Sequence, residues 1–212
     1  MNLFNALQTF IDLFQANLDN TIAFILLLWI IHFVNITLGG GLNIFGIVPR
    51  HPFSLILGPL ISSFLHGDFN HLFYNSFPLF FMVGVLFSKG VLQGCALIMA
   101  CSFVEGVLVW LFGRHGNHIG ASGLIMALFG HFLYMGYANP SAETIIVAVV
   151  LFYYFGTLLF SIFPEDMKTS HEAHLAGLVA GLAVTHFGTP ALFLVIGKPL
   201  SNMILLLAGK LF

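Results

Sequence analysis

Apolar residues fill run after run of this chain, with only short polar breaks between them. The first clear run is 21–38, TIAFILLLWIIHFVNITL, and others occupy 69–87, 91–112, 120–137, 143–162 and 172–187. A membrane-spanning helix needs roughly 20 apolar residues, so the pattern predicts six spans with short connections. Ahead of them Leu3, Phe4, Leu7, Phe10, Ile11 and Phe14 recur at helical spacing. That spacing predicts an amphipathic helix within 1–20, lying at the membrane interface. The stretch from Gly39 to Gly67 holds Pro49, Pro52 and Pro59 yet stays apolar, as in FSLILGPLISSFL. It is too broken for a straight span and predicts a re-entrant or interfacial loop, whose backbone must be covered by protein. The tail, 189–212, is apolar but interrupted by Lys198-Pro199; it reads as an interfacial helix or a poor seventh span, and the interruption favours the former.

Composition agrees with this reading. The chain has 212 residues, 59% hydrophobic and only 7% charged, with a mean hydropathy of +1.02. Soluble domains carry about a quarter charged residues, so this chain cannot cover a water-facing surface. The fold class is all-α: one polytopic membrane domain over 21–188, between the N-terminal helix and the tail. A net charge of −2 gives no electrostatic case for nucleic acid. Cys95 and Cys101 share one apolar run and read as reduced packing residues. No basic n-region opens the chain, so no signal peptide is expected. Basic residues do not orient the spans: Lys89, Lys198 and Lys210 fall on one side, Arg50, Arg114 and Lys168 on the other.

Polar groups inside a membrane are expensive and therefore informative. They collect in three places: FLHGDFNHLFYN with His66, His71 and Asn75; GASG with Ser122; and HEAHLAGLVAG with His171 and His174. His71 and Asn75, four apart, share one helix face. They open the second span, Ser122 the fourth and His174 the sixth. Even-numbered spans all start from the same side, so the three clusters can meet at one depth. A serine hydroxyl needs a base within hydrogen-bond reach to become a nucleophile, and His174 is the candidate. Ser122 near a helix start lies beside unpaired N–H groups that can hold an oxyanion, with Asn75 and His71 as further donors. Gly177 and Gly181 form G-x-x-x-G one turn after His174, a pattern that permits close backbone approach.

Each feature has a blander reading. A serine in a glycine-rich membrane helix is more often a packing residue, and a membrane histidine more often bonds a neighbouring helix. His66, His71, His171 and His174 could instead hold a metal or haem, making a metal-binding or transport protein. The chain lacks H-E-x-x-H, and its intramembrane carboxylate, Glu105, lies in a different span. His115 and His118 read as polar loop residues. A soluble serine hydrolase is excluded, because the nucleophile-elbow pattern G-x-S-x-G after a strand does not occur at Ser122.

The three clusters, in this order, resemble the rhomboid family of intramembrane serine proteases, whose pattern runs His, His-x-x-x-Asn, G-x-S-G, then His-x-x-Gly-x-x-x-Gly. LNIFGIVPRHPFSLILGPLISSFLH also resembles the first loop of bacterial members, so the likeness covers about Leu42 to Gly181. It implies a six-span bundle with an interfacial first loop. Ser122 matches the nucleophile and His174 its general base. Asn75 and His71 match the residues of the oxyanion hole, Gly120 belongs to the serine loop, and His66 matches a structural histidine. Gly177 and Gly181 pack the sixth span on the fourth. Met126 departs from the family, which often has an aromatic there against the catalytic histidine; methionine can fill the same space. The resemblance further implies single-span membrane proteins as substrates, no metal or cofactor, and a bacterial inner-membrane location with the N-terminus in the cytoplasm. The fifth span and the loop after it are expected to gate substrate access. A catalytically inactive rhomboid-like binder of membrane proteins is the alternative.

Overall fold

The computed structural model describes residues 3–163 and 170–211, and every regular element in them is helical apart from one isolated β-bridge. The helices are α1 (Leu3–Ala16), α2 (Leu18–Thr37), α3 (Pro52–Ile61), α4 (Phe69–Phe87), α5 (Val91–Phe112), α6 (Ser122–Ala138), α7 (Ala142–Phe155), α8 (His171–Phe187) and α9 (Ala191–Leu211). A 3₁₀ segment, Gly156–Ile162, continues α7. Local chemistry sets several of the starts. Asp68 caps α4 by accepting from the His71 N–H, Ser141 and Thr144 form a capping box on α7, and Ser170 accepts from the Ala173 N–H to cap α8. Such side-chain oxygens satisfy helix N–H groups that otherwise have no partner.

Four helices are long and apolar enough to cross a membrane: α2, α5, α7 with its 3₁₀ extension, and α9. The helices that carry the polar clusters, α4, α6 and α8, fall outside that set, and α6 and α8 have only 17 residues each. At 1.5 Å rise per residue such helices are shorter than the hydrocarbon layer. The tail forms one helix despite Lys198-Pro199. Lys198 is exposed, while Gly197 packs on α5, where an added Cβ would lie 2.8 Å from Ala96 N.

At the centre stand α5 and α6. Residues 123–130 of α6 are all buried, and α8 packs along them. The first loop lies against this core. Ile47 and His118 exchange both backbone hydrogen bonds, at 3.0 and 2.8 Å. Arg50 donates to Gly113 O at 2.9 Å, at the C-terminal end of α5, where a cation also meets the negative end of the helix dipole. A Cβ on Gly106 would lie 2.5 Å from Pro59 Cα, so α3 rests directly on the α5 backbone. One side of the broken loop is thus covered by protein, while Ile44, Phe53 and Ile56 stay exposed. Phe14 of α1 packs over Gly84 of α4, where a Cβ would run into its ring.

Candidate active site

Ser122 is the first residue of α6 and is half-buried. The turn before it is held from behind. Gly120 N donates to Ser62 O at 3.0 Å, and Ala121 N to His66 Nε2 at 3.3 Å. For His66 to accept, its imidazole must be neutral. Burial, with His71 and His32 adding to it, pushes its pKa down to about 3, so it stays neutral across the physiological range. Gly120 has φ +124°, which an L side chain rarely adopts. A Cβ there would also lie 2.6 Å from Nε2 of His71, whose ring covers this glycine. Gly120→Ala is therefore expected to strain the turn and displace the His71 ring. We expect a loss of about 1–3 kcal/mol of stability, measured as a lower thermal midpoint than wild type.

Ala121, at the N-cap of α6, supplies no side-chain cap. The first N–H groups of the helix therefore have no such partner, and a helix start of this kind favours an anion. Asn75 is buried one turn along α4 from His71, and its Nδ2 has no hydrogen-bond partner. His66 and His71 pack edge to face, with ring centroids 5.1 Å apart.

Behind the capping Ser170, the first turn of α8 presents His171 and His174, both buried. The Nδ1 atoms of both rings lie 3.0 Å from Ser161 O, in the 3₁₀ extension of α7. A carbonyl only accepts, so Nδ1 of His174 carries the proton and Nε2 keeps its lone pair. His71 lies within electrostatic reach of His174. The backbone brings Ser122 and His174 to one seam. A Cβ on Gly177 would overlap Gly123 O, and one on Gly181 would overlap Ala127 O. Ser122 precedes Gly123, and His174 stands one turn before Gly177, so the two occupy adjoining turns of this contact. No hydrogen bond joins Ser122 to His174 among the described residues; such bonds often tighten only when substrate binds. Met126 is fully buried against the same seam, its Cβ 3.1 Å from where a Gly177 Cβ would stand.

Several contacts here escape a reading of the sequence. Ser161 acts through its backbone carbonyl, which no residue type announces. His118 is more than loop: its ring nitrogens lie 2.8 Å from Ser170 Oγ and 2.9 Å from Arg114 O, tying the N-cap of α8 to the turn before α6. Glu172 points away from His174 and pairs with Arg114 at 3.6 Å. Glu105, seen in the sequence only as a lone carboxylate, lies against Gly123; as the sole buried Asp, Glu, Lys or Arg among the described residues, it carried the signal of a costly intramembrane acid. No cluster of three or more His, Cys, Asp or Glu has metal-binding geometry among the described residues. The loop expected to gate the site falls mostly on 164–169, outside the described residues.

A sequence profile of the Rhomboid domain matches residues 55–190. An uncharacterized protein of Mycobacterium tuberculosis is similar to the chain, with 30% identity over 175 residues covering 78% of this chain and 72% of that protein. One from Mycobacterium bovis matches to the same extent. An uncharacterized protein of Mycobacterium leprae is 30% identical over 131 residues, 58% of this chain and 52% of its own.

Proposed function

The chain belongs to the rhomboid family, and from that premise we propose that it is an intramembrane serine protease acting through Ser122 and His174. One observation carries the reading: His174 is held through Nδ1 by Ser161 O, on the helix turn that packs beside Ser122. A base fixed in this tautomer turns its free Nε2 to a nucleophile, the arrangement that activates a serine. Ser122 Oγ attacks the scissile carbonyl, and its proton passes to His174 Nε2. The oxyanion is met by the first N–H groups of α6, by Asn75 Nδ2 and by His71. His174 then gives its proton to the leaving amine. Water from the first-loop side hydrolyses the acyl-enzyme by the same route reversed. No step calls on a metal or cofactor.

The substrates are single-span membrane proteins. Their peptide bonds are locked in helical hydrogen bonds that lipid cannot replace, so cleavage favours segments weakened by Gly or Pro. Access runs between α4 and α7. An apolar cleft of about 650 Å³ lies there, lined by Phe77 and Phe81 of α4, Val150, Leu151 and Phe155 of α7, and Phe14 of α1. Helix α7 buries only Val147, Leu151 and Phe155, the sparse packing of an element able to move. The bilayer is taken to be a bacterial inner membrane, crossed by a six-span core with the N-terminus in the cytoplasm.

The test is cleavage of single-span substrates by the purified full chain in detergent, with fluorophosphonate labelling of the serine. Wild type is expected to cleave and to label. Cleavage or labelling surviving in Ser122→Ala removes the dyad. Failure of wild type to do either, across several substrates, favours an inactive binder.

A further inference from the structure

We infer that Glu105 is a positioning residue for Ser122, holding the first turn of α6 against α8 from the α5 side. The inference rests on the protease reading and adds a residue to it. Among the described residues Glu105 is the only buried Asp, Glu, Lys or Arg, with 4% of its surface exposed. An acid in the apolar interior of a bundle is costly, and helix packing alone needs none. Its carboxyl is set against the backbone of Gly123, the residue after Ser122. A Cβ on Gly123 would stand 2.7 Å from Glu105 Cδ and 3.2 Å from Ala173 O. Gly123 is therefore gripped between a carboxyl of α5 and the backbone of α8, one residue from His174.

The grip belongs to a series. Ser62 O holds Gly120 N and His66 Nε2 holds Ala121 N, both from the first-loop side. Glu105 holds the next turn from α5. Around it the polar atoms are few. Ser63 Oγ faces the carboxyl without reaching hydrogen-bond geometry, and neither Ser63 Oγ nor Glu105 Oε2 has a partner. Ser102 Oγ, one turn earlier on α5, is also buried without one. Carboxyl and hydroxyl can close this gap with small movements, linking α5 to the first loop behind the serine. Glu105 does not touch the reacting atoms. It fixes how high and at what rotation Ser122 enters the seam with α8. Shape and hydrogen-bonding capacity, rather than charge, carry that role, and glutamine has both.

The experiment measures kcat, KM and fluorophosphonate labelling rate for full-length variants, with a thermal melt for each. Glu105→Gln is expected to stay within about threefold of wild type in all three. Glu105→Leu is expected to lose roughly 10- to 100-fold in kcat and in labelling rate, since small misplacements have such effects, while KM moves less than about twofold. A role confined to packing shifts the melt and leaves labelling of the folded fraction unchanged, which overturns the inference. So does a Glu105→Gln variant as slow as Glu105→Leu, because charge would then be what matters. If Glu105→Leu does not fold, a second pair decides. Gly123→Ala presses its methyl into the carboxyl and is expected to lower labelling. Glu105→Asp, one methylene shorter, is expected to restore part of it in the double variant, a coupling between neighbours that independent sites lack. Additive losses in that double variant reject the contact. Failure of the protease reading shows differently, as a wild type that neither labels nor cleaves.

Discussion

Exchanging His174 for alanine is expected to lower turnover of a transmembrane substrate by roughly 10⁴-fold or more, and Ser122→Ala to reach the same floor. The double variant should be no slower than either single one, because two groups that act as a unit lose their effect together. His171 supplies the internal control. It shares the helix turn, the burial and the Ser161 carbonyl with His174. It stands three residues earlier, though, and is not the histidine one turn before the Gly177 contact with Gly123. His171→Ala is therefore expected to cost less than about tenfold, within the range of a lost supporting hydrogen bond. Single-turnover cleavage and fluorophosphonate labelling separate the cases: His174→Ala should lose both, and His171→Ala should keep labelling close to wild type. Equal losses at the two histidines would mean that the 3₁₀ segment and α8 together, rather than one imidazole, set the rate. The shared anchor has a consequence for access. Ser161 lies on the continuation of α7, so on the proposed reading a movement of α7 that admits a substrate also moves the carbonyl that holds Nδ1 of His174.

The apolar runs drew much of the fold, and where they failed the reason is local. Runs 69–87 and 91–112 coincide with α4 and α5, because Asp68, Ser88 and Gly113 mark sharp ends. The start expected at 120 lies instead at Ser122: Gly120 is held at φ +124° by its loop contacts, and hydropathy does not register that. For the tail, Lys198-Pro199 favoured an interfacial helix over a poor seventh span; α9 is a single helix of 21 residues, long and apolar enough to cross. An exposed lysine and a proline facing away from the core do not break it. The six-span pattern treats all runs alike, whereas α4, α6 and α8 are set apart by length or polarity, and it is these three that carry the candidate site. Within the site, residue spacing made His71 and Asn75 neighbours on α4, and the His71 ring lies against Gly120, two residues before Ser122. The orienting group of His174 stayed hidden because it is a main-chain carbonyl. The Ser170 partner of His118 stayed hidden because it lies 52 residues along the chain and is near only in space.

Gly181→Ala is expected to lower cleavage by at least about 100-fold, although the residue is a full two turns from His174. A methyl at Gly181 would overlap Ala127 O and stand 2.6 Å from Ala127 C and 2.9 Å from its Cα. These are backbone atoms inside a helix, so nothing there can swing aside as a side chain would. The same seam is tight at Gly177 against Gly123 and at Gly130, where a Cβ would lie 2.9 Å from Leu178 O. The helices can neither slide nor rotate without meeting the next of these contacts; they can only part. Overpacking of this kind typically costs about 1–3 kcal/mol, which lowers stability without forbidding the fold. The larger effect is on geometry. Parting α6 from α8 opens the distance between Ser122 and His174, and a misplacement of about 1 Å lowers a rate by roughly 100-fold. Turnover and serine labelling should fall together by at least that factor, while the thermal melt moves only modestly. Gly209→Ala in α9, where a methyl meets nothing, should change neither. A Gly181→Ala protein with wild-type labelling would mean that the seam yields without moving the serine, and that the small residues of α8 serve assembly alone.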